Sequence, residues 1–251
     1  MRLWLRYRQK EILRLRLGRS SSTGIEEFQY ATHGGTAFVV SYKHRLYAVT
    51  CRHVFKDFDE GQLTLFGAQF PSKGEKPAKI GAVCCPSSPL ASAVGTDVTD
   101  FCLIEFETNV TTEFFGGNAY ALNGRTVCSS AAGDRLLIFG ALKEKTVIDP
   151  PDITVGYGRL EASDVGPSSD PFLRKGAAQY LDQEFSTVTG ISGAPVFNLT
   201  HNRLCGMIVR GGLTAGRLSV HYAEASDILR FAEAAFEQTK RILHKVIVAR
   251  I

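Results

Sequence analysis

From residue 25 onward the chain is a succession of short apolar runs, each ended by Gly, Pro, Asn or Asp before it reaches helical length. "TAFVVSY" and "RLYAVT" come first; "LTLFGAQF", "KIGAVC", "DFCLIEF", "RLLIFGAL", "TVGYGRL", "APVFNLT", "RLCGMIVRG" and "LSVHYAE" follow. Runs of this length between turn formers read as strands. So many strands with so little helix between them leave two architectures, a β-sandwich or a pair of β-barrels. At 251 residues the chain suits one large domain or two compact halves sharing an interface.

The first two runs flank Lys43 and His44 and read as a β-hairpin. Loops are expected at residues 86–99, at "IDPPD" around Pro150 and Pro151, and at "SDVGPSSDP". One helix is expected, at the C-terminal end. Ser226 is its N-cap, and Ile228, Leu229, Ala232, Ala235, Phe236, Ile242, Leu243 and Val246 follow at i, i+3/i+4 spacing. This apolar stripe is expected to pack on the last strands.

Charge is spread unevenly. Residues 1–19 carry seven basic groups against Glu11, whereas the rest of the chain holds 22 basic and 24 acidic groups. In this basic arm Leu3, Leu5 and Tyr7, then Leu13, Leu15 and Leu17, interleave with arginines at period 2, the pattern of a strand with one cationic face. Such a face suits a regulatory protein partner, self-association or an acidic partner, or it is a solvated edge strand protected by its charge. Nucleic acid is disfavoured because the body has no basic excess. No apolar run approaches membrane-spanning length, and arginines throughout the first residues do not resemble a secretory signal, so a cytoplasmic location is expected. The six cysteines contain no C-x-x-C, so reduced thiols are expected, without a metal or other cofactor.

"TGISGAPVFN", residues 189–198, sets Ser192 between glycines. Alone, this is also the composition of a tight turn. A serine nucleophile needs an imidazole to take its proton, a carboxylate to orient that imidazole, and backbone N–H groups aimed at the developing oxyanion. Six histidines compete: His33, His44, His53, His201, His221 and His244. His53 ends the run "YAVTCRH", where a side chain projects from a rigid element. Asp100 opens the apolar run "DFCLIEF"; a buried carboxylate there is costly unless hydrogen-bonded, and an imidazole N–H would satisfy it. Asp97, in the preceding loop, is the alternative carboxylate.

His53 in "AVTCRHVF", Asp100 in "TDFCLI" and Ser192 in "GISGAPV" resemble, in order and context, the three signature segments of the chymotrypsin-like serine endopeptidases. "GGTAFVV" before the histidine and "LCGMIVRGG" after the serine add to the likeness, which spans residues 25–232. It implies an all-β fold of two six-stranded antiparallel β-barrels with a C-terminal α-helix. The parts would be a basic arm (1–24), a first barrel with His53 and Asp100 (25–125), a second barrel with Ser192 (126–225) and the helix (226–251). It also implies a Ser-His-Asp triad acting on a protein or peptide through an acyl-enzyme, with backbone N–H groups of Gly190 and Ser192 as the oxyanion hole.

Departures from the family narrow the reading. Ile191 stands where the animal digestive members have an aspartate that pairs with a new N-terminus, so activation by trimming is not expected. Val54 replaces the half-cystine that follows the histidine in those enzymes, so the likeness is to bacterial members that work without disulfides. Ser186 falls at the floor of the primary pocket, in place of the aspartate that selects Lys or Arg. Ile208, Val209, Arg210 and Gly211 match the strand that pairs with an extended substrate, and Arg210 suits an acidic substrate residue. The alternatives are a catalytically silent protease-fold module that binds peptides or proteins, or binding of nucleic acid or an acidic partner through the arm. Neither a G-x-x-x-x-G-K-[ST] nor an H-E-x-x-H is present, which disfavours nucleotide hydrolysis and a metalloprotease.

Overall fold

The computed structural model describes residues 12–13, 17–19, 35–55, 66–68, 78–85, 100–115, 119–149, 152–154, 156–178, 187–214 and 217–242. Its N-terminal half is one sheet of β1 (Ile12–Leu13), β2 (Leu17–Arg19), β3 (Ala37–Tyr42), β4 (Arg45–Cys51), β5 (Phe66–Ala68), β6 (Ala78–Cys84), β7 (Phe101–Phe106) and β8 (Tyr120–Ala121). The strands run in the order β1-β3-β4-β7-β6-β5-β2, with β8 beside β3. β7 is buried at every residue and β4 at all but its first, which is why both read as unbroken apolar runs. The expected hairpin joins β3 to β4 through Lys43 (φ 45°) and His44 (φ 68°). Two left-handed residues make the turn whose twist matches the flanking strands, here without glycine or asparagine.

The C-terminal half contains β9 (Arg135–Ala141), β10 (Val147–Asp149), β11 (Asp152–Thr154), β12 (Tyr157–Pro167), β13 (Leu173–Ala178), β14 (Pro195–Asn198), β15 (Arg203–Thr214) and β16 (Arg217–Glu224). Six of them close into a barrel in the order β12-β13-β16-β15-β14-β9, while β10 and β11 pair only with each other. This half meets the expectation of a closed six-stranded barrel. For the N-terminal half closure is not shown: among the described residues it has eight strands, β8 pairs with β3 in parallel, and the ladder does not close. Its edges, β1 and β2, are two- and three-residue strands of the basic arm that pair with β3 and β5 respectively and not with each other.

Two expected loops are also strand. β10 and β11 flank Pro150 and Pro151, and β12 runs on through Ser163–Pro167. β12 alternates exposed and buried residues along its whole length, but an inward position is taken by Asp164, which is 1% exposed. A carboxylate in the core is tolerated because it is fully paired: Arg174 donates from Nε and Nη2 at 2.8 Å each, the Gly166 amide at 2.6 Å, and the Tyr222 hydroxyl also donates to it.

α1 (Ala225–Ile242) closes the described chain, starting one residue early, so that Ser226 lies in its first turn instead of capping it. Ile228, Ala232 and Ala235 are fully buried. The helix touches β15 and β16 as expected, and it also reaches the first sheet. Phe231 and Phe236 meet Phe101 and Tyr42 edge-on, at centroid distances of 4.9 and 5.9 Å. Arg45 Nη1 donates to Glu105 Oε1 and to Thr239 Oγ1 at 2.6 Å each. The helix therefore ties one half to the other. Glu105 is buried and its Oε2 has no partner among the described residues, so Arg45 is the cation that makes its burial tolerable. Arg45→Met is expected to lower stability by about 2 kcal/mol in urea unfolding, whereas Lys43→Met, at the exposed turn, is expected to cost under about 0.5 kcal/mol. Among the described residues no helix is long and apolar enough to cross a membrane.

Candidate active site

His53 follows β4 in a 3-10 turn, Arg52–Phe55, one step beyond the strand end where it was expected. The Arg52 amide donates to the Asp100 carbonyl at 2.6 Å, so the turn is fastened to the start of β7. Both Asp100 carboxylate oxygens are then used on His53. Oδ1 accepts the backbone N–H at 2.9 Å and Oδ2 lies 2.5 Å from ring Nδ1. The Asp100 side chain is 16% exposed and that of His53 is 43% exposed.

The other described histidines have different surroundings. His44 and His201 are exposed turn residues, and His221 Nδ1 lies 2.7 Å from the Ser168 hydroxyl. His33, His244 and Asp97 lie outside the described residues, as does Ser186.

Cys51 Sγ, His53 and Asp100 place donor atoms within 4.8 Å of one another, a possible metal cluster by residue type. The 2.5 Å between Nδ1 and Oδ2 argues against it. Two ligands at ~2.1 Å from one tetrahedral ion stand about 3.4 Å apart. The pair is at hydrogen-bond distance instead, and the Cys51 thiol is engaged elsewhere, donating to the Ile208 carbonyl at 3.2 Å. None of the six cysteines forms a disulfide. Burial pushes the Cys84 thiol up to about 12 and Cys205 well above the usual value, so neither is a thiolate near neutral pH.

Ser192 arrives from the second barrel, in the turn before β14. Gly35 marks where the two halves meet: a Cβ there would lie 2.5 Å from Val54 Cγ2, next to His53, and 2.9 Å from the Ser192 carbonyl. Among the described residues Ser192 Oγ and His53 share no hydrogen bond; such bonds tighten when substrate binds.

The backbone of this loop is almost completely paired. Thr189 O accepts from Lys143 N (2.9 Å), Gly190 O from Thr36 Oγ1 (2.7 Å), Ile191 O from Ala194 N (2.8 Å) and Ser192 O from Thr36 N (2.7 Å). Ile191 N and Gly193 N donate to Val188 O and Ile208 O. Two amides are left over: those of Gly190 and Ser192 donate to no protein acceptor among the described residues. Gly190 at φ +104° and Gly193 at φ +86° supply backbone conformations that side chains disfavour. Ile191 is 2% exposed, packed in the barrel core against Ala194 and Gly140. Thr36, 1% exposed, was visible in the sequence only as part of "GGTAFVV".

Ile208 and Val209 are buried, and Arg210 and Gly211 exposed. β14 pairs with β15 as far as Met207, and Ala194 O and Gly193 N bond to Ile208, so only beyond Ile208 do the described residues place nothing along the side of β15 away from β16.

A trypsin-like peptidase domain family matches residues 35–207. A comparison with curated proteins gives no match. Among solved structures, a Glu endopeptidase in complex with MPD is similar at 16% identity over 90% of each chain, with a TM-score of 0.53. The thermostable serine protease AL20 from an extremophilic microorganism shares 14% identity over 91% of this chain and 98% of its own, at 0.56. Neuropsin, a serine protease expressed in the limbic system of mouse brain, shares 13% over 82% and 88%, at 0.52. At these identities the likeness is one of fold. The family match covers more than half of the chain, from the glycine that separates Val54 and Ser192 to the strand behind the serine loop, and the chain belongs to the trypsin-like peptidase domain family.

Proposed function

We propose that this chain is a serine endopeptidase working through Ser192, His53 and Asp100. Ser192 Oγ attacks the scissile carbonyl carbon while His53 Nε2 takes the hydroxyl proton. Asp100 Oδ2 keeps the other ring proton on Nδ1 and faces the imidazolium as it forms. The developing oxyanion is met by the N–H groups of Gly190 and Ser192. Collapse of the tetrahedral intermediate expels the amine with the proton that His53 carries, leaving an acyl-Ser192 ester, which water opens by the same steps. An extended substrate adds to the side of β15 away from β16 beyond Ile208, where exposed Arg210 would meet an acidic side chain.

The observation that carries this reading is the pairing of residues 189–193. Four successive carbonyls are anchored, and the two unused amides are those an oxyanion needs. A collapsed loop in a silent binding module would turn one of these peptides over and consume an amide. A fluorophosphonate probe is expected to label the wild type at Ser192 and to leave Ser192→Ala unlabelled. A wild type that is never labelled and cleaves no peptide would sink the proposal.

A further inference from the structure

We infer that the Thr36 hydroxyl is the positioning group that holds the oxyanion loop in its working shape, an inference that rests on the reading of Gly190 and Ser192 above. Thr36 makes four hydrogen bonds, two of them to that loop. Its amide donates to Ser192 O at 2.7 Å and its Oγ1 to Gly190 O at 2.7 Å; its Oγ1 accepts from Ala141 N at 2.9 Å and its carbonyl from Thr50 Oγ1 at 2.7 Å. The direction of the Oγ1 bond to Gly190 follows from elimination. Ala141 N can only donate and Gly190 O can only accept, so the single hydroxyl proton points at Gly190.

This bond fixes the Gly190–Ile191 peptide, the link between the two peptides whose N–H groups face the oxyanion. Gly190 lies at φ +104°, where glycine moves between orientations at little cost, so something must select one. The Ile191 side chain is buried in the core, but apolar packing is non-directional and does not fix a peptide plane. The Ile191 amide reaches Val188 O only at 3.3 Å. A short bond from a buried, β-branched hydroxyl is directional and stiff. In Thr36 the first sheet supplies this constraint, so the loop is held without the aspartate before the serine that the digestive relatives use. Gly193 shows how closely the parts fit: a Cβ there would lie 1.9 Å from Thr36 O.

The test compares Thr36→Val, which keeps the shape and removes the donor, with Thr36→Ser, which keeps the donor, in peptide-ester hydrolysis, fluorophosphonate labelling and thermal melting. Thr36→Val is expected to lower kcat about 10- to 100-fold with KM within about threefold of wild type, and Thr36→Ser to stay within about threefold in both. Labelling of Ser192 is expected to slow in parallel with kcat. Should Thr36→Val fail to fold, Thr36→Ala read against Thr36→Ser makes the same comparison. Wild-type kcat in the folded Val or Ala variant overturns the inference, as does a loss shared by the Ser variant or one that tracks only the melting temperature. A wild type that the probe does not label is a failure of the peptidase reading itself, seen before any Thr36 variant is made, and the inference falls with it.

Discussion

Replacing Asp100 with Asn is expected to lower kcat about 10⁴-fold at neutral pH while the fold persists. The two carboxylate oxygens have separate tasks: Oδ1 accepts the backbone N–H of His53 and Oδ2 faces ring Nδ1. Asparagine offers one acceptor and one donor. The backbone N–H cannot be turned round, so the amide oxygen stays on it and the NH₂ group faces Nδ1. His53 must then accept at Nδ1 and carry its own proton on Nε2, the nitrogen that has to take the proton of Ser192. Volume is unchanged, so melting should move little. Asp100→Ala removes both acceptors and is expected to lose stability as well as activity. Kinetics on a peptide ester, with thermal melting alongside, separate the two. An Asp100→Asn enzyme within about tenfold of wild type would remove Asp100 from the mechanism and turn attention to Asp97.

His53, Asp100 and Ser192 were legible as candidates because each sits beside a run with a clear strand signal, and their order along the chain matched a known pattern. What holds them was not legible. Thr36 bonds to Gly190 and Ala141, residues 154 and 105 positions away, and no local pattern announces a contact made across two halves of a fold. The same contrast divides the strands. β4 and β7, buried almost throughout, stood out as apolar runs. β13, "LRKGAA", carries two cations and a glycine and gave no signal. Its Gly176 is closely packed, since a Cβ there would lie 3.1 Å from Leu136 Cδ1 and 3.1 Å from Val220 Cγ2 and would have to push both aside. Asp164 turned the end of β12 into an apparent loop, because a core position held by a carboxylate breaks the alternation that marks a strand.

That carboxylate should make the barrel sensitive to mutation and to acid. Asp164→Ala is expected to cost about 3–5 kcal/mol, because it leaves the largely buried Arg174 guanidinium and the buried Tyr222 hydroxyl without their acceptor. Asp164→Leu combined with Arg174→Leu removes both charges and should recover much of that loss, as apolar replacement of a buried pair often does. The pH dependence follows from the same contacts. Burial by itself pushes the Asp164 carboxyl up, but Arg174, Tyr222 and the Gly166 amide outweigh it and hold the group below its usual value of 3.8. A folded-state pKa below the unfolded one means the contribution is fully present above the unfolded value and is lost as pH falls through the folded value. Wild-type melting temperature should therefore hold above about pH 5 and drop as pH falls below about 4, with a shallower acid slope in the double variant, which has no such proton to take up. Equal acid slopes in wild type and double variant would mean that other carboxylates govern acid unfolding. β12, β13 and β16 converge on this ion pair, and β16 is the ladder partner of the β15 segment at Arg210 and Gly211. Acid loosening here should thus reach the edge proposed to bind substrate, seen as a rise in KM below about pH 4 that is reversed on return to neutral pH.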